Sequence, residues 1–233
     1  MNKDEFISAL NDLDINVTDR QLQMLDTYYK MIIEYNSHTN LTRITEEKEV
    51  YLKHFYDSIT LSKAIKLENQ SLLDVGTGAG FPGIVLKIIF PDLKVTLVDS
   101  LNKRIIFLNN VIKELELDNI TAIHARAEEF AKETSEKFDI VTSRAVANLN
   151  MLSELCLPMV KLNGLFIPMK ADANLEIKMS KNAIKTLGGV IQDILIFELP
   201  NNEGVRTLIK IKKIDKTNSK YPRKFNEIKK KPL

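Results

Sequence analysis

A single cysteine, Cys156, excludes an internal disulfide and any zinc site assembled from several thiolates. No apolar run approaches the ~20 residues that a membrane helix needs. The opening segment, MNKDEFISALNDLDI, alternates charged and apolar residues, so it lacks the unbroken apolar core of a secretory leader. Low-complexity tracts and internal repeats are missing as well, which leaves an ordinary folded composition, 44% hydrophobic and 27% charged over 233 residues. These absences predict a cytoplasmic protein with one α/β domain and a smaller appendage, dependent on neither membrane nor metal.

Net charge is also nearly absent, at +2, but the average hides an asymmetry. Between Arg206 and Lys231 eleven Lys and Arg face only Asp215 and Glu227, a local +9 that leaves −7 for the rest of the chain. A basic end on an acidic body suits a polyanion docking at one place, although a solvated solubility tail has the same composition.

Three segments follow from periodicity: an N-terminal helical cap over 1–67, a Rossmann-like domain over 68–215 and a basic tail over 216–233. In the cap, Thr18 is positioned to start a helix through QLQMLDTYYKMIIEY, with Leu22, Leu25, Tyr29, Ile32 and Ile33 at helical spacing. Tyr28 and Tyr29 read as packing residues of this cap. A second helix is expected from about Glu46 to Lys66. Beyond Asn69 short apolar strands (SLLDVG, VTLVDS, NITAIHA, DIVTSRAV, GLFIPMK) alternate with helices, one opened by Pro82 and ended by Pro91. VIQDILIFEL and RTLIKIKKI, joined by a turn, read as a hairpin. The expected fold is α/β, a seven-stranded, mostly parallel sheet with an antiparallel last strand and helices on both faces. Ligands of such sheets bind beyond the carboxyl ends of the strands.

The strongest motif is the turn after the first strand, where Asp74, Gly76, Gly78, Gly80 and Gly83 are spaced D-x-G-x-G-x-G-x-x-G. Glycines let the backbone turn sharply and approach a ligand without Cβ interference. Gly78, Gly80 and Gly83 alone satisfy the dinucleotide fingerprint G-x-G-x-x-G. Asp74 favours another register: a carboxylate there meets a cationic amino group, whereas it would repel a pyrophosphate. That pattern is similar to the first motif of class I methyltransferases, which wraps the methionine part of S-adenosyl-L-methionine. Asp99, ending the second strand, is placed to accept from both ribose hydroxyls, or alternatively to cap the next helix. Ala127 and Glu128 follow the third strand, where an adenine ring would lie. Arg144 follows the fourth, facing the transferred methyl.

The catalytic strand narrows the acceptor. Exocyclic base amines usually meet an N/D-P-P-Y/F/W segment, and this chain has Ser143-Arg144-Ala145-Val146 instead. Carbon-5 of cytosine needs a cysteine nucleophile, whereas Cys156 sits between Leu155 and Leu157 as a core residue would. A ring nitrogen such as guanine N7 carries its own lone pair and needs only orientation.

Taken together, Tyr35-Asn36, Asn40-Leu41-Thr42, His54-x-x-Asp57-Ser58, LLDVGTGAGFPGI, LVDSLNKRIIFL, ARAEEF, Ser143 to Ala147 and the Tyr221-Pro222-Arg223-Lys224 tail carry a resemblance along the whole chain. The chain resembles the bacterial small-subunit ribosomal RNA guanine-N7 methyltransferases, the glucose-inhibited division protein B family. The resemblance implies methylation of one guanine N7 in 16S rRNA, with donor contacts at Gly76, Phe81, Ala127, Glu128 and Arg144, the last also catalytic. It also turns the basic tail into a phosphate-contacting element, with Arg223, Lys224 and Lys230 meeting the RNA. Asn226 and Ile228 depart from the family's Gly and Pro in the tail. The expected partner is 16S rRNA or the small ribosomal subunit, bound by a monomer. A small-molecule methyltransferase and a nicotinamide-dependent oxidoreductase are the competing readings.

Overall fold

Short, apolar, β-rich segments in this chain have nowhere to go but the middle of a layered sheet. The structure, a computed structural model, describes residues 1–135 and 137–233, with His38 described by its backbone alone. Its strands are β1 (Ser71–Val75), β2 (Lys94–Asp99), β3 (Ile120–His124), β4 (Phe138–Arg144), β5 (Val160–Lys170), β6 (Gly189–Glu198) and β7 (Val205–Lys213). They form one seven-stranded sheet in the order β3-β2-β1-β4-β5-β7-β6. The first five are parallel, and β7 runs antiparallel to both β5 and β6. The expected hairpin is therefore present, with its second strand inserted beside β5.

The helices are α1 (Lys3–Asn11), α2 (Asp19–Thr39), α3 (Glu47–Val50), α4 (Asp57–Ile59), α5 (Gly83–Ile89), α6 (Asn102–Glu114), α7 (Ala127–Glu133), α8 (Leu149–Cys156), α9 (Asn174–Thr186) and α10 (Phe225–Lys230). Among the described residues no helix is long and apolar enough to cross a membrane. Thr18 and Gln21 form a reciprocal capping box at the start of α2. The Gln21 amide also donates to the carbonyls of Ile88 and Ile89 at 2.9 and 3.0 Å, docking the cap on the end of α5. Cap and domain share one apolar cluster, in which buried Tyr28 lies among Phe55, Phe81 and Phe107.

Two expectations change. The single helix from Glu46 to Lys66 is broken into α3, a π-helical turn over Tyr51–Tyr56, α4 and a 3₁₀ turn over Thr60–Lys63. Such wide turns are frequent at functional sites, and this one carries His54 and leads into Asp57. The tail, expected as a separate basic segment, packs on α8. Ile228 is fully buried in the second apolar cluster, and Arg223 pairs with the fully buried Glu154. The departure at Ile228 is thus an apolar anchor within a short helix. Cys156 lies in the same cluster, and burial pushes its thiol far above the usual range, as a core role requires.

Gly83 marks the closest approach of α5 to the sheet. A β-carbon there would lie 2.3 Å from Leu97 Cδ2 and 3.1 Å from Asp74 Oδ2, whereas one on Gly78 would meet nothing within 4 Å. Gly83→Ala should therefore destabilise the fold by about 1–3 kcal/mol through overpacking. Gly78→Ala, strained only by its φ of +64°, should lose about 1 kcal/mol. Urea unfolding of the two variants would show this order; a reversed order would refute the packing argument.

Candidate active site

The carboxyl ends of β1, β2, β4 and β5 open on two adjoining clefts. The sequence explains the first from the turn after β1. Gly76, Gly78 and Gly80 all adopt positive φ, at 71°, 64° and 106°. The turn is held from below by Asp74, whose Oδ2 accepts from the Thr77 hydroxyl at 2.7 Å and the Gly83 N–H at 2.9 Å. From above, the Tyr28 hydroxyl donates to the Ala79 carbonyl, and a β-carbon on Gly80 would lie 2.6 Å from that hydroxyl. Tyr28 thus serves both cap core and loop, a role that its helical spacing alone did not disclose.

Asp74 is fully buried, and burial lifts its carboxyl to about 6. Its Oδ1 is the buried side-chain oxygen left without a hydrogen-bond partner among the described residues. A glycine cradle beside one unmatched carboxylate oxygen suits a ligand with a cationic amino group and disfavours a diphosphate. Asp99 is also buried: its Oδ2 accepts from the Gly78 N–H at 2.9 Å and pairs with Arg104 at 3.0 Å, while Oδ1 accepts from the Leu101 N–H at 2.9 Å. The carboxylate thus fixes both the glycine turn and the residue that leads into α6.

Gly76, Asp99, Ala127 and Glu128 come together around a cleft of about 170 Å³, joined by Val146 and, from the tail, Phe225. Val146 reaches Gly76 because Ala145 takes a left-handed φ of 56° and turns the chain back; a β-carbon on Gly76 would lie 2.5 Å from Val146. Asp74, Gly78, Gly80 and Phe81 do not line this cleft. Gly78 reaches it only through its N–H bond to Asp99, and Phe81 packs instead on His54 and Tyr28 of the cap.

The second cleft, about 470 Å³, lies between the cap and the ends of β4, β5 and β7. Asp57, almost fully buried, binds two arginines: its Oδ2 lies 3.1 Å from Arg144 Nη1 and its Oδ1 2.9 Å from Arg206 Nε. Arg144 Nη1 also donates to the Lys53 and His54 carbonyls at 3.3 and 3.5 Å. The His54 ring stacks on Phe81, with centroids 4.4 Å apart, and the Arg144 guanidinium lies 5.2 Å from the same ring centre. Burial and then the Arg144 charge push His54 down to about 3, so the ring is neutral. His54 Nδ1 lies 3.2 Å from the Lys53 carbonyl and 3.4 Å from Arg144 Nη2, and Nε2 lies 2.8 Å from the Thr42 hydroxyl, so protein groups engage both ring nitrogens. His54 therefore has no free lone pair for general base work. Lys53, Lys170 and Arg206 add positive charge around the cleft, set against Asp172 and Glu176, the latter 2.8 Å from Lys170.

Of the tail residues expected to contact substrate, Arg223 is committed to Glu154 through its backbone N–H, Nε and Nη2, whereas Lys224 and Lys230 are exposed. Arg206 and Phe225 were not singled out in the sequence; one counted only toward the tail's charge and the other had no spacing to mark it. Among the described residues no group of three His, Cys, Asp or Glu side chains is arranged to hold a metal.

The sheet order and the glycine turn define a class I S-adenosyl-L-methionine-dependent methyltransferase. Solved structures agree on the fold: "Methyltransferase from Pyrococcus furiosus" aligns with a TM-score of 0.59 at 15% identity over 85% of this chain and 100% of that one. The M. jannaschii TYW2 structure in complex with AdoMet aligns with a TM-score of 0.53 at 19% identity, covering 68% of this chain and 77% of that one. The family described as rRNA small subunit methyltransferase G matches residues 21–203. The proteins named Ribosomal RNA small subunit methyltransferase G from Bacillus subtilis (strain 168) and Limosilactobacillus reuteri (strain DSM 20016) are each 51% identical to it. Both cover 100% of this chain, which spans 99% and 100% of their lengths. The chain belongs to this family.

Protonating Asp74 removes the charge that an ammonium group would seek. With a carboxyl near 6 in the empty protein, affinity for S-adenosylhomocysteine should fall about tenfold between pH 7 and pH 5. Asp74→Asn should weaken binding at pH 7 by about 1–3 kcal/mol and flatten that pH profile. Isothermal titration across the range checks both, and a variant with wild-type affinity would remove Asp74 from the donor site.

Proposed function

We propose that this chain methylates N7 of a specific guanine in 16S rRNA, acting as a cytoplasmic monomer on the RNA or the small ribosomal subunit. S-adenosyl-L-methionine, when bound, supplies a methyl group on a sulfonium, already activated for displacement. What the protein must add is alignment. The observation that carries the reading is the pair of arginines clamped by Asp57, one of them beside Phe81 of the glycine turn. Among the described residues nothing accepts from Arg206 Nη2, whose Nε and Nη1 serve Asp57 and the Val205 carbonyl. That free donor suits an acceptor oxygen of the target nucleotide, such as guanine O6, which stands next to N7. Arg144, whose Nη1 is held by Asp57 and the Lys53 and His54 carbonyls, positions the cap and Phe81 over the site. Lys224 and Lys230 extend the positive surface toward the RNA backbone, which supplies affinity without sequence choice.

Belonging to the family supports the rRNA acceptor, and the two arginines on Asp57 in the second cleft fit an anionic polymer better than a small neutral metabolite. A nicotinamide-dependent oxidoreductase is disfavoured by the buried Asp74 beneath the loop.

Incubation with tritiated donor and either small subunits or naked 16S rRNA, followed by mapping of N7-methylguanine, should label one position. Arg206→Ala should lower kcat/KM for RNA at least tenfold while leaving S-adenosylhomocysteine affinity unchanged, because Asp57 keeps Arg144. Absence of label in both RNA forms would overturn the acceptor; an equal loss of donor affinity would overturn the role of Arg206.

A further inference from the structure

The adenine end of the donor cleft has a wall that lies outside the part of the chain matched by the family. That match ends at residue 203, yet Phe225 lines the cleft together with Asp99, Ala127, Glu128 and Leu155. Phe225 is not there as part of a loose end. Two residues earlier Arg223 grips Glu154 with its backbone N–H at 2.9 Å, Nε at 2.8 Å and Nη2 at 2.6 Å, and Glu154 has no exposed surface. Three residues later Ile228 is fully buried against the same face of the domain. The latch and the cleft wall are contiguous on α8, since Glu154 precedes Leu155. An aromatic ring fastened on both sides, half-exposed at the mouth of a cleft, is placed to stack on a planar heterocycle.

We infer that the C-terminal segment is part of the donor site, with Phe225 packing on the purine ring of the methyl donor and Arg223 positioning it through Glu154. This rests on the donor reading given above. It also gives the tail a second duty besides meeting RNA through its exposed lysines. Burial of Glu154 explains why the latch is an arginine: the forked guanidinium satisfies both carboxylate oxygens at once.

The test compares two ligands that differ only in the purine. Phe225→Ala should weaken S-adenosylhomocysteine about tenfold, while S-ribosylhomocysteine, which has no base, changes less than twofold. Phe225→Tyr should restore S-adenosylhomocysteine affinity, since the ring is retained. Undiminished S-adenosylhomocysteine binding in Phe225→Ala overturns the inference. So does an equal loss for both ligands, which would mean that the tail only braces the domain. A wild-type protein that binds neither ligand would instead overturn the donor reading itself, so the two failures are distinguishable.

Discussion

The architecture depends on a carboxylate buried where water would hydrate it better. Asp74 ends β1, caps the start of α5 through the Gly83 N–H and pulls the Thr77 hydroxyl under the turn. That arrangement fixes the three left-handed glycines and the distance between α5 and the sheet, which is why a β-carbon at Gly83 has no room. One oxygen remains unmatched. Raising the carboxyl from 3.8 to about 6 means that ionised Asp74 costs the empty fold on the order of 3 kcal/mol. The sign follows: this loss is absent below the unfolded value near 3.8 and complete once pH rises past about 6. A cationic group placed at the unmatched oxygen would offset that cost by pairing with the carboxylate.

A second buried carboxylate joins the parts. Asp57 comes from the cap, Arg144 from β4 and Arg206 from β7, so one side chain links three segments distant in the chain. The π-helical turn sets up this junction, and Phe81 extends it to the glycine loop through its stack on His54. Keeping His54 neutral matters here, because an imidazolium beside Arg144 would add a like charge to a half-dry site. The glycine turn and the second cleft are thus joined by a set of packed rings and ion pairs.

Much of this was legible in the sequence. The alternation of apolar runs and helices gave strand count and sheet type, because buried parallel strands cannot be disguised by polar alternation. Asp74 with its glycines was readable because three left-handed positions in one turn favour glycine, and at Gly76 and Gly80 a β-carbon would also collide with a neighbour. Gly76, Asp99, Ala127 and Glu128 do gather around one cleft, as strand ends in this topology must. What stayed hidden depends on tertiary partners. The break in the helix after Glu46 has no Pro or Gly to announce it. Arg223 looked like a phosphate ligand because nothing in the spacing of α8 marks Glu154 as its buried partner. Phe225 and Ile228 looked like solvated tail residues, since a short basic segment carries no periodicity to reveal the face it buries.

The central claim is that the turn after β1 receives a cationic amino acid attached to a nucleoside. A crystal structure of the protein soaked with S-adenosylhomocysteine and NADH together tests it most directly. The account predicts density for the thioether nucleoside alone, with its amino group at the glycine turn above Asp74 and its purine between Ala127 and Phe225. Density for the diphosphate of the nicotinamide compound at that turn would contradict it.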